Sequence, residues 1–314
     1  MNGDQTPVPN QARMEGRHGG YRISALAALV ILLAAFAPSL FDLIRYSLRS
    51  DLYSYIVLVP FIVVYLIRLE RVANRSGDHV PAPALALSCA VVGAAALAFL
   101  ALRHASGMPL SRNDHLSITT FAFVTLLLGT LALLAGREPL RGRASPLLFL
   151  YFMVPLPDAV GNLLATLLQH GSAALSTALL NFTDTPVFTD GVTLYLPGLT
   201  LEVAQECSGI RSTMILFITS LLLGHLFLRS PWLKSALVLS VIPIGVLRNS
   251  ARILTIALLT IRVNPEVIHG PLHKHGGTPF FVFSLIPLFL LLLALRLAER
   301  ERGTPANPLP EGAH

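Results

Sequence analysis

Two features of the sequence predict an all-α, polytopic membrane protein. Hydrophobic residues make up 54% of the 314 residues and charged residues only 13%, about half their usual share in soluble domains. The hydrophobic residues form long apolar runs, and basic residues cluster between these runs. Such clustering follows the positive-inside rule, so it accounts for the net charge of +6 without a nucleic-acid partner. The sequence therefore predicts about eight transmembrane helices in a lipid bilayer.

The N-terminal segment is polar and contains several glycines and prolines. Residues 1–22 are therefore predicted to form a disordered cytoplasmic tail, and Ile23–Ile44 to form the first span. A cleaved signal peptide is an alternative, because Ala35-Phe36-Ala37 has the small-x-small form of a cleavage site. Pro38 and the apolar residues after it favour a retained membrane anchor.

The next apolar runs predict four more crossings, the last of them short. They lie at 51–67, Ala82–Leu102, Ser117–Leu134 and Pro146–Pro157. Tyr53 and Tyr55, at the start of the first of these, are predicted to lie at the membrane interface. Val160–Leu180 has a helical pattern, but polar residues and a glycine at 169–172 interrupt its apolar character. We expect this helix to lie in the interface without crossing.

Asn181–Val203 combines turn-forming residues with β-formers, which predicts a short hairpin outside the bilayer. This hairpin leads directly to Cys207. Three spans follow, at Thr213–Phe227, Leu233–Ile253 and Pro279–Leu297. The chain is thus predicted to contain one transmembrane domain over residues 23–297 and a cytoplasmic tail over residues 298–314.

The distribution of basic residues predicts the orientation of these spans. With the N-terminus inside, and residues 160–180 not crossing, most of the 23 Lys and Arg residues lie on the cytoplasmic side. If that helix crossed, Arg229, Lys234 and the basic C-terminus would lie outside, against the bias. Both termini are therefore predicted to be cytoplasmic, and Cys207 to face outward.

The two cysteines are predicted to differ in role. Cys89 lies well inside the third span, whereas Cys207 lies at the opposite surface, so the pair is too far apart for a disulfide. A free cysteine is usually a small buried apolar residue, and this interpretation fits Cys89. Cys207 instead precedes a helix, with Arg211 one turn further in. A helix N-terminus and nearby cations lower the pKa of a thiol, which favours a nucleophile.

Two more polar groups are expected at the depth of Cys207. About 20 residues of helix cross the bilayer, so the end of the seventh span places Arg252 at the outer surface. His273 lies just before the eighth span. An arginine can stabilise an oxyanion and a histidine can transfer protons. Arg248 is instead expected to extend to the lipid headgroups, and a solvated loop histidine is the alternative for His273.

Two neighbours of Cys207 are predicted to support it. Arg211 lies on the same helix face as the thiol, and Glu206 precedes the thiol directly. An ion pair of Arg211 with Glu206 or Glu202 is the structural alternative. The sequence shows no zinc-ligand spacing, phosphate loop or dinucleotide motif, so no metal and no cofactor is predicted.

Four segments resemble the exosortase/archaeosortase family of membrane transpeptidases. They are Glu206-Cys207-Ser208-Gly209-Ile210-Arg211-Ser212, Asn249-Ser250-Ala251-Arg252-Ile253, His273 with Gly277 and Phe281, and Phe152-Met153-Val154-Pro155-Leu156-Pro157. The resemblance favours Arg252 over Arg248 and His273 over His269 and His275. Tyr55-Ile56 departs from the Tyr-Ser-His-Gly often found in the family, so no catalytic role is predicted there.

The resemblance implies a cysteine transpeptidase or thiol protease in the plasma (inner) membrane of a prokaryote. Such enzymes cleave exported proteins that end in a short motif such as Pro-Glu-Pro, a transmembrane helix and a basic tail. The reaction passes through a thioester, which water, an amine or a lipid then resolves. A non-catalytic subunit or a transporter of envelope polysaccharide export is the alternative, which the lack of an obvious inverted repeat weakens.

Overall fold

The computed structural model describes residues 10–50, 52–71, 82–135, 144–204, 208–263 and 277–303. The chain divides into two compact units, residues 1–158 and 159–314. The first unit contains only helices among its described residues. They are α1 (Asn10–Arg49), a 3-10 helix (Ser54–Leu58) that continues as α2 (Val59–Arg71), α3 (Pro83–Ala105), α4 (Arg112–Ala135), α5 (Ala144–Leu148) and a second 3-10 helix (Phe149–Met153).

Helix α1 begins earlier than the sequence predicts. Its backbone is helical from Asn10, although residues 1–22 are predicted to be a disordered tail and the first span to begin at Ile23. No proline lies between Pro9 and Pro38, and several good helix formers follow Pro9. The helix of the first span therefore extends back into the polar segment.

In the first unit, side chains hold the loop that follows the second 3-10 helix. Ser117 Oγ donates to the carbonyl of Pro155 at 2.8 Å, Asn113 Nδ2 donates to the carbonyl of Leu156 at 2.7 Å, and the hydroxyl of Tyr53 donates to the same carbonyl at 3.1 Å. Tyr53 is only 5% exposed and Tyr55 only 8%. Both tyrosines are therefore buried in the protein, and their predicted place among the lipid headgroups is wrong.

The second unit combines five helices with a small sheet. Its elements are α6 (Asp158–Asn181), β1 (Phe188–Asp190), β2 (Thr193–Leu196), β3 (Leu199–Glu202), α7 (Ile210–Phe227), α8 (Pro231–Leu239), α9 (Val241–Arg262) and α10 (Gly277–Gly303). The strands form an antiparallel sheet with β2 in the centre. The segment predicted as a hairpin thus contains three strands. Its two turns contain Gly191 and Gly198, whose φ angles are positive.

Two apolar clusters hold the second unit together. In the first, the sheet packs on α6 and α9, and its buried members are Ala173, Leu180, Leu194, Leu196, Val203 and Ala257. The second joins helices α7 to α10 and includes Leu216, Leu237, Val241 and Leu288. Helix α9 contributes to both clusters, so the sheet and the helices form one packed body.

The helices support a polytopic membrane protein, although the count of eight spans is not confirmed. Seven described helices are long and apolar enough to cross a membrane: Leu26–Arg49, Pro83–Ala105, Arg112–Leu134, Asp158–Asn181, Ile210–Phe227, Pro231–Arg262 and Pro279–Arg300. The predicted second and fifth crossings correspond to the shorter apolar helices Ser54–Leu69 and Ala144–Met153. The helix predicted to lie in the interface, α6, has the length of a span.

Two polar residues in the 169–172 interruption of α6, Gln169 and Ser172, face other parts of the protein, whereas His170 is exposed. Gln169 donates its side-chain amide to the carbonyl of Val203, and Ser172 is fully buried with its carbonyl accepting from Ser250 of α9 at 3.1 Å. Internal partners of this kind allow polar residues within an apolar helix. The interruption at 169–172 is therefore weak evidence against a crossing.

Candidate active site

The sheet leads the chain to the segment that carries Cys207. Residues 205–207 lie outside the described residues, and with them Glu206 and Cys207, but the chain is described on both sides. On the N-terminal side, the amide of Val203 donates to the carbonyl of Val192 at 3.0 Å. Gln169 Nε2 donates to the carbonyl of Val203 at 2.5 Å. The backbone amide of Val203 is thus held by Val192, which directly precedes β2, and its carbonyl is held by Gln169 of α6.

On the C-terminal side, Gly209 directly precedes α7. Its φ of 78° lies in the left-handed region, which glycine adopts without steric cost. Its carbonyl accepts three hydrogen bonds, from the amide and the hydroxyl of Thr213, each at 3.0 Å, and from Arg248 Nη2 at 2.9 Å. The mouth of the helix is therefore bonded to α9 through Arg248.

Arg248 is buried beside this helix mouth. Its residue is 7% exposed, and Nη2 also lies 3.4 Å from the hydroxyl of Thr213. A Cβ atom at position 209 would collide with the same Nη2 atom, so the guanidinium packs directly on Gly209. The interpretation of Arg248 as a side chain that extends to the lipid headgroups is therefore wrong. Its partner is a backbone carbonyl inside the protein.

Arg252 lies one turn further along α9 and is half-buried. It lines a small cleft of about 40 Å³ between α9 and the end of β3, and the cleft is mostly apolar. The other lining residues are Leu201, Glu202, Val203, Asn249, Ile253 and Ile256. The structure therefore brings Arg252 next to β3, the strand that precedes Cys207, although Arg252 and the strand are 50 or more residues apart in sequence.

The remaining predicted site residues are less well placed by the structure. Arg211 lies in the first turn of α7 and is exposed. His273 lies in 264–276, outside the described residues, as do His269 and His275. Cys89 lies in the first unit, where it is a free thiol that packs against Gly129 of α4. Among the described residues, no group of three His, Cys, Asp or Glu could hold a metal ion.

Two residues of this site are not predicted from the sequence, Gln169 and Arg248. A signal for Gln169 exists in the pattern of α6, because Ala165, Gln169, Ser172 and Ser176 recur at helical spacing. Three of these four are buried and the glutamine is partly buried. Polar and small residues on one face of an apolar helix indicate a protein-facing surface.

Comparison with known proteins identifies the family. Neither the curated proteins nor the solved structures contain a match to the chain. A family model described as transmembrane exosortase matches residues 47–290 of the 314. The match covers most of the chain, including α6, the sheet, α7 and α9. The chain therefore belongs to the transmembrane exosortase family.

Proposed function

We propose that this chain is a membrane cysteine transpeptidase that removes the C-terminal sorting signal of exported proteins. Family membership supports this class of reaction. One observation carries the assignment to a site: Arg248 of α9 hydrogen-bonds the carbonyl of Gly209, two residues from Cys207. The same helix presents Arg252 in the cleft beside β3. One guanidinium is thus bonded to the residue pair that follows the thiol, at Gly209, and a second lies in the cleft beside the strand that precedes it.

In the proposed reaction, the Cys207 thiolate attacks a backbone carbonyl of the substrate near its sorting motif. Arg252 stabilises the oxyanion that forms, since a guanidinium stays protonated and donates hydrogen bonds. The C–N bond breaks, and His273 donates a proton to the leaving amine. The substrate's N-terminal part then remains as a thioester on Cys207, and its helix is released.

A second nucleophile completes the reaction. Water gives hydrolysis and a shortened free protein, whereas an amine of the envelope or of a lipid gives an anchored product. His273 accepts a proton from this nucleophile, and the thiolate leaves. Arg211 and Glu206 take supporting roles. Arg211 supplies a positive charge in the first turn of α7, and Glu206 orients a neighbouring group.

The protein's place in the cell follows from the same proposal. Its apolar helices make it an integral membrane protein. We place it in the plasma (inner) membrane of a prokaryote, with the site on the outer face and both termini in the cytoplasm. Its partners are exported proteins that end in a motif, a transmembrane helix and a basic tail. This orientation lets the substrate's helix lie in the same bilayer as the enzyme.

The first prediction concerns the thiol. Cys207→Ala should leave the chain inserted but stop the shortening of an exported reporter that ends in a motif, helix and basic tail from the same organism. Cys89→Ala is the matched control and should shorten the reporter at the wild-type rate, because Cys89 lies in α3 of the first unit and packs against Gly129 of α4. The measurement is reporter size on a blot over time. Shortening at the wild-type rate by Cys207→Ala would rule out the mechanism.

A further inference from the structure

The free edge of β3 lies beside the proposed site. The sheet order is β1-β2-β3, so in the described part of the chain β3 has a strand on one side only. Its end also forms one wall of the cleft whose other wall contains Arg252. An edge strand presents unpaired backbone groups, which can pair with an extended peptide.

The register shows which groups of β3 are available. Val203 donates to Val192, and the pairing continues as Thr193 with Glu202 and Tyr195 with Thr200. Hydrogen-bonded and non-hydrogen-bonded pairs alternate in an antiparallel ladder, so Thr200 and Glu202 belong to non-hydrogen-bonded pairs. Their amide groups point away from β2, toward the free edge. Neither amide has a hydrogen-bond partner among the described residues.

The chain connects this edge to the thiol over a short distance. Cys207 follows Glu202 by five residues, which limits their separation to about 18 Å. Both borders of the intervening segment are fixed, at Val203 by Gln169 and at Gly209 by Arg248. A peptide that lies along β3 therefore has its next residues within reach of the thiol.

We propose that β3 binds the substrate as an added strand, which deepens the proposed function and rests on it. The bound segment is the extended peptide directly upstream of the cleaved bond. Backbone hydrogen bonds from Thr200 and Glu202 hold this segment, and the apolar walls at Leu201 and Ile253 contact one of its side chains. Because β3 and the substrate both run toward Cys207, the added strand is parallel to β3.

The proposal explains how one site accepts substrates with different sequences. Main-chain hydrogen bonds recognise an extended backbone whatever its side chains, and a small cleft adds selectivity at alternate residues. The cleft is lined by the side chains of Arg252 and Glu202 among apolar residues and has a volume of about 40 Å³, which suits one small side chain. The substrate class is thus an extended, unfolded segment between an exported domain and a membrane helix.

A proline at position 200 tests this added strand. Thr200→Pro removes the outward amide but leaves the hydrogen bonds between β3 and β2, so edge-strand proline is tolerated. With purified full-length protein in nanodiscs and the reporter's C-terminal segment as substrate, KM should rise roughly tenfold, the size of one lost hydrogen bond, with kcat little changed. Thr200→Ala keeps the amide, so the KM of Thr200→Pro should lie well above that of Thr200→Ala. A wild-type KM for Thr200→Pro would overturn the added strand.

A second measurement does not depend on the folding of that variant. Single amides upstream of the cleaved bond are replaced by esters in the substrate, and KM is measured with the wild-type protein. An ester should raise KM at every second position only, because only alternate residues of an added strand hydrogen-bond to β3. A flat profile would overturn the strand while leaving cleavage by Cys207 intact. Cleavage by Cys207→Ala would instead overturn the transpeptidase itself, so the two failures are distinguishable.

Discussion

At the scale of single residues, two arginines one turn apart on α9 have different surroundings. Arg248 is buried and bonded to the carbonyl of Gly209, whereas Arg252 is half-buried in the cleft beside β3. The first arrangement fixes the mouth of α7 at Gly209, and the second puts a guanidinium in the wall of the cleft. We therefore expect Arg248 to position the site and Arg252 to contact the substrate.

Lysine substitutions should separate these two roles. Arg248→Lys keeps the charge but loses the planar fork that reaches both Gly209 and Thr213. It should lower both the melting temperature and the rate of reporter shortening, the rate by about tenfold or more. Arg252→Lys should lower the rate without lowering the melting temperature.

The control for this pair is Arg262→Lys. Arg262 is exposed at the end of α9 and donates to the carbonyl of Thr183 at 2.9 Å, away from the cleft. This variant should keep wild-type activity. An Arg248→Lys protein with wild-type stability and rate would show that the bond to Gly209 has no role in positioning.

Part of this site can be predicted from the sequence, and the rest depends on contacts that a sequence does not show. Motif resemblance and span lengths place Arg252 beside the segment of Cys207, and the cleft is consistent with that placement. The role of Arg248 depends on a hydrogen bond to a backbone carbonyl 39 residues earlier. Every residue has a backbone carbonyl, so the sequence does not show which arginine donates to one. A buried arginine and an arginine at the lipid headgroups therefore cannot be distinguished from the sequence alone.

At the scale of elements, the start of α7 shows how a local conformation supports a site. The sequence predicts this span from Thr213, but the helix begins at Ile210. Gly209 turns the chain into the helix in the left-handed conformation and leaves room for the guanidinium of Arg248. The extra turn brings the helix N-terminus within three residues of Cys207, where its dipole favours a thiolate.

Two glycines of the α7 region should therefore respond to alanine in opposite ways. Gly209→Ala places a side chain in the left-handed region, at about 1–2 kcal/mol, and displaces Arg248, so the melting temperature and the rate should fall. Gly224→Ala lies inside the helix, where its Cβ would meet Lys234 and Leu237 at ordinary distances of 3.7 and 3.8 Å. That change should raise stability, because alanine is the better helix former. Equal melting temperatures for the two variants would contradict the packing at Gly209.

The segment Asn181–Val203 differs from its predicted form. Its β-formers and turn residues predict strands, and the structure has strands there, but three of them. The third strand is only four residues long and gains its apolar contacts from α6 and α9. Packing against distant helices is not visible in a window of local sequence. Local patterns therefore indicate the type of element better than the number of strands.

At the scale of the whole molecule, the orientation in the membrane is predicted from the distribution of Lys and Arg residues between the spans. Seven described helices have the length and composition of spans, and which of them cross decides where each terminus lies. Because Arg229, Lys234 and the basic C-terminus lie inside only if 160–180 does not cross, the C-terminus is expected in the cytoplasm. Helix α6 has the length of a span, so the charge bias and the helix lengths favour different topologies.

Cysteine labelling resolves this difference. In a Cys89→Ala protein, cysteines placed at Arg71 or Arg300 should stay unlabelled by a membrane-impermeant maleimide in intact spheroplasts, while Cys207 reacts. Both positions should react once the membrane is opened, which is the control for their accessibility. Labelling at position 300 from outside would overturn the cytoplasmic C-terminus and the count of eight crossings.

The buried bond between Arg248 and Gly209 has a consequence for membrane insertion during synthesis. An arginine within a span raises the apparent insertion free energy, by up to about 2.5–3.5 kcal/mol at the centre, and Arg248 lies within the apolar stretch Pro231–Arg262. The ribosome makes Gly209 and α7 before this arginine emerges. Helix α9 is thus expected to leave the translocon next to α7, with the carbonyl acceptor already present when the charge enters the bilayer. Assembly of the site and insertion of its arginine helix would then be one event.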